Sequence, residues 1–137
     1  MSSENTKLNH IVEDFSKSPF WNYLGLSLHS IQEGEVQLHL EVKDDFMNTI
    51  HTVHGGVFAS VIDTTMGMTA RSYLGSPFTT VNLNVHFVKA VSKGSIWSKG
   101  KIIAHGKSIF TVQADIFNDE NELCAHGTGT FKAIKKR

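Results

Sequence analysis

The chain predicts an α+β fold in which one long helix, apolar nearly all round, lies against antiparallel strands. Three patterns carry that expectation. In residues 56–73, Val57, Phe58, Val61, Ile62, Met66, Met68 and Tyr73 spread over most of a helical wheel, so this helix has no broad polar face and belongs inside a sheet. Three segments alternate apolar with polar residues at the period of a strand with one wet face: Val36, Leu38, Leu40 and Val42; Val81, Leu83, Val85 and Phe87; Phe110, Val112, Ala114 and Ile116. Turn residues at Lys93-Gly94, at His105-Gly106 and from Asn118 to Asn121 recur about a dozen residues apart, a spacing that favours hairpins over crossover helices.

The elements follow in order. Leu8, Ile11, Val12 and Phe15 mark one face of an amphipathic helix within residues 1–18, which Pro19 stops. Phe20, Trp21, Tyr23 and Leu24 fit neither period and read as a packed connector. Residues 35–43 form the first strand, residues 55–73 the central helix, and four strands fill the rest as an antiparallel meander: 81–87, 95–105, 110–116 and 123–134, the last interrupted by Gly127 and Gly129. No repeat or Pro-rich linker divides the 137 residues, so one domain is expected over 1–137.

Thirteen basic and thirteen acidic side chains balance to zero net charge, which removes the basic surplus that nonspecific nucleic-acid or anionic-membrane binding needs. A small-molecule ligand is expected instead. No apolar run approaches the length of a membrane span and the first ten residues are polar, so a cytoplasmic location is expected. The single cysteine, Cys124, permits no internal disulfide and no cysteine zinc site. His51 and His54 have ligand-like spacing, but no second cluster of ligand types accompanies them, so neither metal nor cofactor is expected.

On the central helix, Gly56, Ala59, Ser60, Asp63, Gly67 and Ala70 fall in one stripe, all small except Asp63. A glycine within a helix costs roughly 0.5–1 kcal/mol relative to alanine, so Gly67 implies a close visitor along the stripe, either a ligand or another helix. Asp63 stands out because a buried carboxylate must be hydrogen-bonded, paired or chemically employed. Gly55 and Gly56, preceded by His54, open the helix with unpaired backbone amides and no Cβ in the way, which is how an oxyanion hole is built. Gly55 and Asp63 stand about 12 Å apart along one helix axis, too far to grip a single carbonyl. A second copy running antiparallel along the small stripe would bring Asp63 to the first copy's Gly55, which points to a homodimer with shared sites.

Asn48, His54-Gly55-Gly56, the helical Asp63 and the ending Gly127-Thr128-Gly129-Thr130 together resemble the hot-dog-fold acyl-CoA thioesterases, in particular their phenylacetate-pathway branch. The resemblance covers about residues 20–133. It implies a long helix wrapped by a curved sheet, dimers joined edge to edge and often paired again as tetramers, and an acyl-CoA substrate. It implies further that Asp63 is the catalytic base or nucleophile and that the Gly55 amide polarises the thioester carbonyl. His54 would buttress that loop, Asn48 would orient water or carbonyl from the subunit opposite, and Thr80 would help hold the water. Gly56, Lys89, His105 and Lys107 would bind substrate, the basic ones near the nucleotide end of CoA. A thiol leaves with a pKa near 8.5, so carboxylate plus amide suffice for hydrolysis without a strong general acid.

Other motifs carry less. Residues 100–108 have five residues between the glycines where a P-loop needs four, and they bridge two strands, which excludes a nucleotide triphosphatase reading. His29, His39 and His86 fall on the solvent side of strands. Phe46, Met47 and the cluster at 20–23 are candidates for shaping an acyl pocket, and the tail of Lys132, Lys135, Lys136 and Arg137 is too short for more than a weak anion contact. Two rival functions remain. A hot-dog hydratase would need a histidine and carboxylate pair flanking the substrate; a non-catalytic acyl-CoA sensor would typically lack the helical carboxylate.

Overall fold

The computed structural model describes residues 3–134. Helix α1 (Ser3–Ser16) leads into α2 (Pro19–Leu24), then strands β1 (Ser27–Gln32) and β2 (Glu35–Glu41), a 3-10 turn (Asp44–Phe46), the long helix α3 (Gly55–Leu74), and strands β3 (Phe78–Phe87), β4 (Ser95–His105), β5 (Ile109–Phe117) and β6 (Leu123–Ala133). All six strands form one antiparallel sheet in the order β1-β2-β4-β5-β6-β3. This is a curved α+β architecture with α3 across the sheet's inner face.

The alternating residues point where their period sends them. Val36, Leu38 and Leu40 of β2 and Phe110, Val112, Ala114 and Ile116 of β5 are fully buried against α3. From the helix, Val61, Ile62, Met66 and Met68 meet them, and these side chains form one continuous core. Its polar members are satisfied locally. The buried hydroxyls of Thr65 and Thr69 donate to the carbonyls of Val61 and Thr65, both at 2.6 Å, and Ser98 Oγ meets Thr65 Oγ1. Small residues set the helix close to the sheet: a Cβ on Gly127 would strike Ile62, and one on Gly100 would strike Thr69 and Thr65.

Four expectations need correction. Pro19 does more than end α1: it occupies the first turn of α2, whose cap Ser18 accepts from Trp21 N, so the aromatic cluster is helical. The segment Ser27–Gln32 is a strand unmarked by apolar alternation, because at the sheet's edge it buries no residue fully. Strand β3 does not form a hairpin with β4; it crosses to pair with β6 and becomes the other edge. Finally, α3 is not enclosed all round: Ala59, Ser60, Asp63, Thr64 and Gly67 stay half-buried and Gly56 is exposed. Next to the C-terminal half of that stripe lies α1, whose Asp14 and Lys7 bond Arg71 and the Tyr73 carbonyl.

Gly100→Ala forces a Cβ into Thr69 and the Thr65 backbone, so chemical denaturation should show a loss of about 1–3 kcal/mol, with the midpoint falling and the m-value unchanged.

Candidate active site

The loop before α3 is held by its own side chains. Asn48 Oδ1 accepts from the amides of Ile50 and Thr52 at 3.0 and 3.1 Å, while its Nδ2 donates to Thr52 Oγ1 at 2.8 Å. This closes a turn in which His51 adopts φ 61° and leaves one Nδ2 proton of Asn48 without an acceptor among the described residues. His54 then caps the helix, its Nδ1 accepting from Gly56 N at 2.8 Å and its carbonyl accepting from Val57 N at 2.9 Å. The Gly55 amide has no acceptor among the described residues. His54 thus braces the loop and leaves the first amide of α3 bare, at the end where the helix dipole is positive.

Two turns further along, Asp63 is half-buried and its Oδ1 accepts a hydrogen bond from Thr80 Oγ1 at 2.8 Å. That bond fixes the carboxylate against the start of β3 and leaves Oδ2 without a partner among the described residues. The pair opens onto a cavity of about 320 Å³ walled by Phe15, Phe20, Trp21, Phe78 and Phe131, with Gly67 on its helical side. At its other end stand Arg71 and Asp14, joined by a 2.6 Å hydrogen bond from Arg71 Nη2 to Asp14 Oδ2. That bond holds the Asp14 carboxyl below the usual carboxylate range.

One protomer does not unite the two halves. Asp63 is tied to Thr80 at one end of β3, whereas Gly55 lies under the ring of Phe87 at the other, about 23 Å along the strand. The candidate phosphate-binding residues are divided in the same way. Lys89, just beyond Phe87, pairs with Glu122 at 2.7 Å, a bond that raises the lysine pKa and lowers that of Glu122. Lys107 lines a separate cavity of about 650 Å³ with Thr79, Ser108 and Lys132 near the start of β3. His105 packs on Tyr73 and Phe110, with ring centres 4.6 and 4.9 Å away. Lys135, Lys136 and Arg137 lie outside the described residues. No group of three or more metal-ligating side chains is gathered among the described residues, and no helix among them is long and apolar enough to cross a membrane.

A profile of the thioesterase superfamily matches residues 50–125, the span from the Asn48 loop to the start of β6. The chain belongs to the thioesterase superfamily. Its fold is accordingly the hot-dog fold, with α3 as the central helix. It superposes on the Escherichia coli PaaI protein of the phenylacetic acid degradation operon with a TM-score of 0.91 at 19% identity, covering 97% of each chain. On zebrafish thioesterase superfamily member 2 the TM-score is 0.82 at 23% identity, covering 98% of this chain and 100% of that one. A Thermoplasma acidophilum relative named as an esterase is 24% identical over 119 residues, 85% of this chain and 89% of that protein. The coarse assignment is a hydrolase of the thioesterase class.

Within this thioesterase-superfamily member, Phe20 and Trp21 line the cavity beside Asp63, whereas Phe46 and Met47 lie away from it. Asp14 and Arg71 carry no site role in the sequence reading, and Phe15 figures there only as part of the apolar face of α1. A signal for Arg71 exists: Asp63, Gly67 and Arg71 step along α3 four residues at a time and so share one face.

Gly67 is the lever on cavity size. Its added Cβ would meet only Phe131, at an ordinary 3.6 Å. Gly67→Ala should therefore raise the unfolding free energy by up to about 1 kcal/mol through helix propensity while narrowing the cavity. Thermal melts check the first effect, and a larger loss of kcat/KM for bulky than for short acyl thioesters checks the second.

Proposed function

We propose that this chain is an acyl-CoA thioesterase, hydrolysing a CoA thioester to a free acid and CoA at two sites shared across a homodimer. The observation that carries this reading is the carboxylate of Asp63, anchored by Thr80 at the mouth of an aromatic-walled cavity of about 320 Å³. That volume falls in the range of small-molecule sites. Within one protomer no described histidine lines the cavity, so the histidine of a hydratase pair would have to come from the partner, whose His54 Nδ1 already accepts from Gly56 N.

In this reading two protomers pair through their β3 edges about a twofold axis. The partner's Phe87 end, with its Gly55 amide, then comes alongside Thr80 and Asp63 of the first chain. Val81 and Leu83, 60% and 37% exposed, are the apolar side chains such an edge would cover. The partner's Gly55 N–H donates a hydrogen bond to the thioester oxygen as negative charge develops there. The second Nδ2 proton of the partner's Asn48 is available to the same oxygen or to the attacking water. Asp63 Oδ2 either takes the proton of a water that adds to the carbonyl carbon, or adds to that carbon itself to form an anhydride that a water then cleaves to the free acid; in both routes the C–S bond breaks and CoA departs as thiolate. The same antiparallel pairing carries the partner's Lys89 towards Thr79, where Lys107 and Lys132 already stand, giving a basic rim for the CoA phosphates. Pairing of two dimers into a tetramer and a cytoplasmic location accompany the reading.

Thiol release from a panel of acyl-CoAs tests it. The protein's own Cys124 is fully buried, with its thiol pKa raised by burial, so it adds no background. Asp63→Ala should lower kcat/KM by at least about 10²-fold. Thr80→Val, which removes one hydrogen bond to a charged group, should lower it by about 10- to 100-fold. Full activity in Asp63→Ala would remove Asp63 from the chemistry, and no thiol release from any acyl-CoA by the parent protein would end the thioesterase reading.

A further inference from the structure

Gly55 is hemmed in from within its own protomer. A Cβ there would stand 3.2 Å from Cε1 and Cζ of Phe87, tighter than ordinary contact, so the tip of that ring rests on the main chain beside the bare amide. The ring also stacks on that of Phe58, which is buried, with centres 6.3 Å apart. Phe87 itself is 58% exposed. It is a large aromatic held from one side and open on the other, at the point where α3 presents an N–H with no acceptor among the described residues. A hydrogen-bond donor and a free aromatic surface therefore adjoin. A ligand that satisfies both carries an acceptor oxygen next to a soft, apolar atom.

The neighbours on either side orient such a ligand. In the acyl-CoA reading the acyl group lies in the aromatic-walled cavity beside Asp63, and the phosphates lie towards Lys89. Lys89 is two residues beyond Phe87 in the same chain, and the amides of Lys89 and Val88 both donate to the Cys124 carbonyl, at 3.0 and 2.8 Å, which ties this stretch to β6. Phe87 thus stands between the Gly55 amide and Lys89, on the leaving-group side of the carbonyl. The first atom on that side of a thioester is sulfur. A divalent sulfur makes favourable contacts with aromatic rings at about 5 Å, often at the ring edge; an ester oxygen is smaller and less polarizable and gains little from the same ring.

Resting on the acyl-CoA reading, we propose that Phe87 is a specificity residue that contacts the thioester sulfur, so that the site distinguishes a thioester from the oxygen ester of the same acid. The Gly55 N–H donates to the carbonyl oxygen while the Phe87 ring meets the sulfur on the same carbon, and the two contacts together fix the plane of the thioester in front of Asp63. The ring also keeps water from one side of the amide, which strengthens that donor.

The test pairs S-acyl-N-acetylcysteamine with O-acyl-N-acetylethanolamine, two esters that differ only in sulfur against oxygen and carry no phosphate. A thiol is the better leaving group in every variant, so the readout is the change in the thioester-to-ester ratio of kcat/KM between variants. Phe87→Leu should reduce that ratio about two- to tenfold, through the thioester alone, and Phe87→Tyr, which retains the ring, should preserve it. A ring that serves only as a wall would lower both substrates equally in Phe87→Leu, and an unchanged ratio overturns the proposal. Uncleavable analogues of the two esters, with a methylene in place of the carbonyl, repeat the comparison by calorimetry. The sulfur analogue should bind the parent protein more tightly than the oxygen one, by a margin that Phe87→Leu cuts by the same factor; no sulfur preference in the parent overturns the proposal whatever the variants do. If the parent cleaves no thioester, the hydrolase reading fails by itself, while the analogue affinities still decide the role of Phe87.

Discussion

A straight helix fixes the separation of its own residues, and that constraint governs the site. The bare amide of Gly55 and the carboxylate of Asp63 are eight residues apart on α3, and helical geometry holds them about 12 Å from each other whatever else the chain does. The sheet keeps the two apart as well, binding Asp63 through Thr80 to one end of β3 and seating Gly55 beside Phe87 at the other. On the proposed reading these are two halves of a carbonyl-binding site that one protomer cannot bring together. A twofold pairing along β3 is the simplest operation that joins them, and it makes two sites at once.

The packing that holds α3 also explains why its exposed stripe can be used. On the sheet side, threonine hydroxyls return their hydrogen bonds to the helix, and glycines of β4 and β6 admit the helix at close range. That side tolerates no added volume. On the opposite side Gly67 has room for a Cβ, and Asp63 and Thr64 remain partly open. The helix is clamped from one side and free on the other, which suits a residue that must be rigid and still reach a substrate.

Much of this was legible in the sequence because it follows from period and residue size. Strict alternation located β2 and β5, all-round apolarity located α3, and the stripe of small residues around Asp63 marked the side left open. Strand β1 was not legible: SLHSIQ at a sheet edge buries no residue fully and so shows no alternation. The position of β3 was not legible either, since hairpin turn chemistry at Lys93-Gly94 speaks only for adjacent segments and says nothing of a strand that crosses to pair with β6. Asp63 could be found from the sequence because a carboxylate among small and apolar residues is locally anomalous. Asp14 could not, because on an amphipathic helix it is one more charge facing water, and its place beside the cavity depends on a contact with Arg71, 57 residues away.

The most direct measurement is complementation between two inactive chains. Gly55→Pro deletes the amide at a first-turn helical position whose backbone suits proline, as the extended His54 before it does, and its Cβ needs the Phe87 ring, 3.2 Å away, to give by a few tenths of an ångström; Asp63→Ala deletes the carboxylate. Co-refolded in equal amounts, half of the dimers are mixed and each mixed dimer holds one intact site, so activity should return to about a quarter of the parent value. Activity no greater than the sum of the separate variants, in dimers shown to have exchanged, would contradict a site built from two chains.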